Sequence, residues 1–195
     1  MKQRKLKEFV MFVPGINPSR AEGQYGTNEI QYYDQAAFEN DFNHENNTDV
    51  EKLTLSPYSE SALNEGDVVI SNSMQLATIV GKSNIGKVPS LNFTKVEFGT
   101  SELDRHYFLY LLNAYQGVKR QKEKGLQGSG AVLRLPLKAL NQIIIPVPPM
   151  AQQKKIGMIY TETLRLQNKL NKYGALIEHF TSSILEDALE GGISK

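Results

Sequence analysis

The chain has 195 residues, 40% of them hydrophobic, with 22 Lys and Arg against 21 Asp and Glu, three His and no Cys. That length suits one ordinary domain with an appendage, or two small domains, and the apolar share is enough to bury a core. The lack of cysteine excludes a disulfide framework and thiolate metal sites and fits a reducing cytosol, while a net charge of +1 excludes inferring a partner from overall charge.

Charge is nevertheless segregated along the chain. Residues 1–21 carry a net +4, residues 22–67 a net −10 and residues 82–138 a net +6. Folded onto different faces, these blocks would leave one face able to meet a polyanion; folded against each other, they would simply neutralise.

The opening MKQRKLKEFVMFVPG places Lys and Arg before an apolar run, as a secretory signal does. Phe9 to Val13 is too short for a signal's apolar core, and no small-residue cleavage site follows. No stretch approaches the ~18 apolar residues that cross a membrane. The expectation is a soluble cytoplasmic protein. KLKEFVMFV reads as a short helix or the start of a strand, broken by Pro14-Gly15. NPSRAEGQYGTNEIQYYD reads as a loop, and DFNHENNTDVEKLTLSPYSE as a long polar surface loop. LNEGDVVISNS is a Gly-Asp turn feeding a β-branched strand, Val68 to Ser71. LATIVGK is a second strand, and SLNFTKVEF alternates as a third.

Between these strands, GKSNIGKV (Gly81 to Val88) nearly matches the phosphate-binding pattern G-x-x-x-x-G-K followed by Ser or Thr. Val88 stands where the magnesium-binding hydroxyl belongs, and Pro89 with β-alternation follows where a helix start should supply amides to phosphate. The better reading is a polar hairpin tip carrying Lys82, Asn84 and Lys87, residue types suited to phosphate and base edges.

ELDRHYFLYLLNAYQGVKRQKEKG reads as one helix, with Leu103, Tyr107, Phe108, Leu111, Leu112 and Tyr115 on its apolar face. LPLKALNQIIIPVPP reads as a helical turn and a buried strand closed by prolines. VPPM lacks both flanking residues of an amino-methyltransferase Pro-Pro motif, and no Asp or Glu stands two residues before any Lys, so the carboxylate-x-Lys core of many nucleases is missing. His44, His106 and His179 lie far apart, with no paired metal-ligand spacing. No metal or cofactor is expected.

After Met150 proline disappears. Ile156, Ile159, Thr163, Leu166, Leu170, Tyr173, Ile177, Phe180 and Ile184 follow alternating steps of three and four, an a/d heptad seam of about four heptads. Such a helix would run ~50–60 Å. A single narrow apolar seam needs a partner, either its own domain or another long helix. Gly157 and Gly174 each weaken it by roughly 1 kcal/mol relative to Ala.

The order of these features resembles the specificity subunit of type I restriction–modification systems. The most telling stretch is IIIPVPPMAQQKKI, which is similar to that family's passage from a target-recognition domain into a long spacer helix; the Gly66 to Val69 turn and the opening KLKEFVMFVPG add to the resemblance. The resemblance implies an α+β fold. A globular target-recognition domain with a mixed or antiparallel sheet and helices would cover 1–149, a long dimerising coiled-coil helix 150–190, and a tail 191–195. Family members commonly carry two recognition domains and two antiparallel spacer helices in one chain, so this chain resembles a half-subunit that pairs with a copy of itself.

The implied function is non-catalytic, sequence-specific binding of double-stranded DNA at a split site, holding modification (methyltransferase) and restriction subunits. Lys119, Arg120, Lys122 and Lys124 crowd one helix end, and the glycine loop after them offers Gln127 and Ser129 to bases or phosphate. Arg20, Tyr25 and Asn28 in the first polar loop are further DNA candidates. The plainer reading of the basic run is a solvated helix end with a glycine cap at Gly125. Two functions from other classes stay open: a dimeric protein-only adaptor without DNA binding, and a nucleotide-binding enzyme with Gly81 to Val88 as its remnant. Salt-sensitive binding to duplex DNA separates the first from the implied function, and nucleotide turnover the second.

Overall fold

Val68–Ser71 (β4) is buried at all four residues, as a strand covered on both faces must be. In the computed structural model, which describes residues 2–17, 30–43, 61–128 and 133–191, β4 lies inside a four-stranded sheet. Its partners are β2 (Val10–Pro14), β5 (Leu76–Ile79) and β7 (Phe93–Phe98), in the order β2-β7-β4-β5. Every pairing in this sheet is antiparallel, with Val68 lying between Ile79 and Val96.

Alternation along β4 sends its side chains into two cores. Val68 and Ile70 join Phe12, Val96, Tyr107, Phe108, Leu111 and Leu112. Val69 joins Tyr33, Phe38, Leu63, Val80 and Phe93 on the other face. Two smaller pairings complete the strands. β1 (Gln3–Lys5) runs antiparallel to β8 (Ile144–Pro146), and β3 (Tyr32–Tyr33) runs parallel to β6 (Val88–Pro89). The architecture is the expected α+β domain followed by a long helix, with antiparallel and parallel pairings both present.

Four local expectations are corrected. First, the opening segment is neither one helix nor one strand: β1, a 3-10 turn over Leu6–Glu8 and β2 follow one another. Second, the polar segment after Asp34 begins with a helix, α1 (Gln35–Phe42), whose N-terminus is capped by the Asp34 carboxylate accepting from the Ala37 amide. Third, the 102–125 helix is two helices, α2 (Arg105–Asn113) and α3 (Gln116–Gly125). Extended backbone at Tyr115 separates them, and the Asn113 side chain bonds both the amide and the carbonyl of Ala77 on β5. Fourth, Gly81 to Val88 is not a hairpin tip. The chain leaves edge strand β5 there, makes a 3-10 turn over Lys82–Asn84, pairs with β3 through β6, and only then returns to the sheet as β7.

After α4 (Leu137–Gln142) and β8, helix α5 runs over Met150–Gly191. The chain divides into two compact units, Met1–Thr161 and Glu162–Lys195, so the first turns of α5 belong to the first unit, whereas the sequence suggests a boundary at 149. The side chain of Gln153, buried in that unit, donates to the carbonyls of Glu102 and Pro148 and accepts from the Asp104 amide. Gly157 lies so close to the start of α2 that a Cβ would come within 2.6 Å of the Tyr107 nitrogen. Gly157 is therefore a close-approach position and not merely a weak point in the helix. In the second unit, Leu166, Leu170, Tyr173, Ile177, Phe180 and Ile184 are exposed. Residues 192–195 of the expected tail lie outside the described residues.

Candidate nucleic-acid interface

Helix α3 has one buried stripe, Val118 and Lys122, spaced four apart as neighbours on a helix must be. Lys122 Nζ donates to the carbonyl of Leu112, near the end of α2, and to that of Gln75 in the β4–β5 turn, each at 2.6 Å. Burial, and then the neighbouring Lys119, push its pKa down from 10.5 to about 8. The expectation that Lys122 meets phosphate is therefore corrected: its ammonium is spent inside the fold. Gln121 anchors the same helix to β8, donating to the carbonyl of Ile144 and accepting from its amide.

With Gln121 and Lys122 holding α3 down, Lys119, Arg120 and Lys124 are left exposed, together with Glu123. Two of the helix's cations, Lys122 and Lys124, stand in its last turn, where the helix dipole favours positive charge. The chain then forms an isolated antiparallel bridge in which Gln127 and Arg134 exchange both backbone hydrogen bonds, at 3.0 and 2.8 Å. Both residues are exposed. Gly125 is the last residue of α3 and does not adopt the positive φ of a capping glycine. It is small because a Cβ there would meet the Ala139 Cβ of α4 at 2.7 Å.

Gly81 to Val88 forms a second polar region with a different construction. Asn84 is buried; its amide donates to Asp41 Oδ1 at 2.8 Å and to the carbonyl of Ala37. Asp41 also accepts from the Gly81 amide at 2.9 Å and from the Tyr33 hydroxyl at 2.8 Å. Burial raises the Asp41 pKa above the usual carboxylate range although three donors oppose the shift. Asn84 is thus a fastener between the loop and α1, which corrects its reading as a base contact. Lys82 is exposed and Lys87 half-buried. No phosphate cradle exists here, because Val88 enters β6 where a helix would have to start.

Arg20, Tyr25, Asn28 and Ser129 lie outside the described residues, as does His44. Among the described residues no group of His, Cys, Asp and Glu could hold a metal ion, and no helix is long and apolar enough to cross a membrane. Sequence reasoning missed Arg134 and Lys138, both exposed just beyond the basic helix. The glycines of GLQGSGAVLR were a signal that the chain turns back, and a turn would have placed Arg134 across from Gln127. It also missed Asp41, which no local pattern distinguishes from the other acids of its block.

A family model described as "Type I restriction modification DNA specificity domain" matches residues 1–178. Among solved structures, the chain is similar to the HsdS subunit from Thermoanaerobacter tengcongensis, at 18% identity and a TM-score of 0.54, covering 96% of this chain and 44% of that one. A structure from work on complex assembly and conformational transition of the type I R-M system matches at 18% identity and TM-score 0.59, covering 96% and 45%. The S subunit of a type I restriction-modification system from M. genitalium matches at 11% identity and TM-score 0.51, covering 91% and 41%. The chain spans less than half the length of each of these structures. No curated protein matches it.

Proposed function

The chain belongs to the type I restriction modification DNA specificity domain family, and from that premise we propose that it is a non-catalytic subunit that reads a DNA sequence for a restriction–modification complex. The observation that carries this reading is the construction of α3. Its buried residues clamp it to α2, β8 and the β4–β5 turn, while Lys119, Arg120 and Lys124 face outward and the Gln127–Arg134 bridge follows directly. Cations on a rigid helix suit phosphate contacts that position the protein, and an exposed Gln beside them suits a base edge. Lys82 and Lys87 are secondary phosphate contacts, and Arg20, Tyr25, Asn28 and Ser129 remain candidates by residue type.

The long helix is the proposed dimerisation element. Two copies would place two identical recognition domains about a two-fold axis, and the target would be an interrupted palindrome, as for other symmetric dimers. The modification and restriction subunits would assemble on this dimer, in keeping with the complex named for one of the similar structures. The exposed apolar seam would serve a protein-only adaptor equally well, so DNA binding itself is what has to be tested.

The test is to select bound sequences from a random duplex library with the methyltransferase subunit present. An interrupted palindrome is expected. A contiguous or non-palindromic consensus contradicts the homodimer, and no enrichment at all favours the protein-only adaptor.

A further inference from the structure

The second unit carries a charge gradient that its apolar seam alone does not require. Between 162 and 174 the charged residues are Glu162, Arg165, Lys169 and Lys172, a net of +2. Between 175 and 189 they are Glu178, Glu186 and Asp187, a net of −3. All seven side chains are exposed. Two such helices laid parallel put like charge beside like charge along their whole length. Laid antiparallel, each basic half faces an acidic half.

The seam itself chooses the register. Its step of three continues past Ile184 to Asp187, so the seam holds one polar residue near each end, Thr163 and Asp187, and apolar residues between. A carboxylate opposite an aliphatic side chain in a helix interface is costly. Only one antiparallel register sets Asp187 opposite the partner's Thr163. The same register sets Leu166 opposite Ile184, Leu170 opposite Phe180 and Tyr173 opposite Ile177, so the layers from 163 to 187 are all matched. Its two-fold axis passes at Ala175, where the charge changes sign. On the two flanks of that axis Gly174 then faces Gly174 and Leu176 faces Leu176. Gly174 has no atom of its own chain within 4 Å of where its Cβ would be, so nothing in its own chain requires a glycine there. Beside the axis, its missing side chain lets the two helices approach closely. Leu176 is 56% exposed in the single chain, lies off the seam, and gains an apolar partner only in this pairing.

We propose that Glu162 to Leu189 pairs antiparallel with a second copy of this chain about an axis at Ala175, in the register that joins Thr163 to Asp187. This deepens the dimer proposed above and rests on it.

The chain has no cysteine, so single-cysteine variants of the full chain report the geometry directly. Oxidation or a short bismaleimide should link Gly174→Cys to itself and Leu176→Cys to itself. Ile184→Cys alone should stay unlinked, whereas an equimolar mixture of Leu166→Cys and Ile184→Cys should link. Efficient self-linking of Ile184→Cys in a protein that is dimeric by light scattering means a parallel pair, and overturns the register while leaving the dimer standing. A dimer in which neither Gly174→Cys nor Leu176→Cys links overturns the register too. A protein that is monomeric at high micromolar concentration overturns both the register and the dimer.

Discussion

Lys122 Nζ donates to the main-chain carbonyl of Gln75 at 2.6 Å, and Gln75 sits at a φ of 58° in the β4–β5 turn. Non-glycine residues seldom adopt that conformation, so the lysine stabilises a turn that the local sequence does not favour. Its second acceptor, Leu112, fastens the same turn to the end of α2.

The buried ammonium makes stability depend on pH. Burial lowers the folded pKa to about 8 from 10.5, so the unfolded chain binds this proton more tightly. The contribution of Lys122 is therefore fully present above 10.5 and is lost as pH falls through about 8. Urea unfolding should show the difference in stability between the native protein and Lys122→Met changing by roughly 1–3 kcal/mol between these pH values. A constant difference across that range rules the effect out.

Gly157→Ala should destabilise the first unit although alanine is the better helix former. The added Cβ would lie 2.6 Å from the Tyr107 nitrogen and 2.7 Å from His106, and overpacking of this kind costs about 1–3 kcal/mol. Gly174→Ala, with open space around it in the single chain, should instead raise the helicity of the monomer at low concentration. Thermal melts followed by circular dichroism compare the two.

Removing Lys119, Arg120 or Lys124 should weaken binding to all duplexes alike, each lowering the slope of log K against log salt by about 0.9. Lys122→Met should leave that slope unchanged, because its charge is already satisfied inside the fold. Gln127→Ala should relax one base position, by ~1–3 kcal/mol of discrimination. Fluorescence anisotropy at several salt concentrations, on matched and singly mismatched sites, reads all three effects.

Replacing Leu166 and Leu170 with Asp should convert the protein to a monomer without unfolding the first unit, since both side chains are exposed in the single chain. The pairing would bury two carboxylates per copy, at a cost of several kcal/mol. Light scattering together with unchanged near-ultraviolet dichroism is the expected result; retention of the dimer removes the seam from the interface.

The strands β4, β5 and β7 and the long helix were legible because each is written as a single period over enough residues: the β-branched run at Val68, the alternation before Phe98, and the steps of three and four from Ile156. Helix α1 was not legible. It buries little beyond Ala37 and Phe38, and its third buried residue is the acid Asp41. The break at Tyr115 was hidden for another reason: the apolar spacing continues through it, and what stops the helix is Asn113 bonding to a strand distant in sequence. Among the candidate contacts, residue type picked out cations but could not tell Lys122 from Lys119. Helical position decides that, since only Lys122 falls on the stripe with Val118.

The pairing of β1 with β8 sets Gln3 opposite Pro146, and the Val147 amide donates to the carbonyl of Lys2. Everything from Leu6 to Ile143 is therefore an excursion that departs from one doorway and comes back to it, immediately before the long helix. Such a segment behaves as a cassette. Genetic recombination that swapped the excursion for another of different sequence would install a new reading head on an unchanged axle, because the doorway is made by main-chain bonds that ask little of the side chains on either strand.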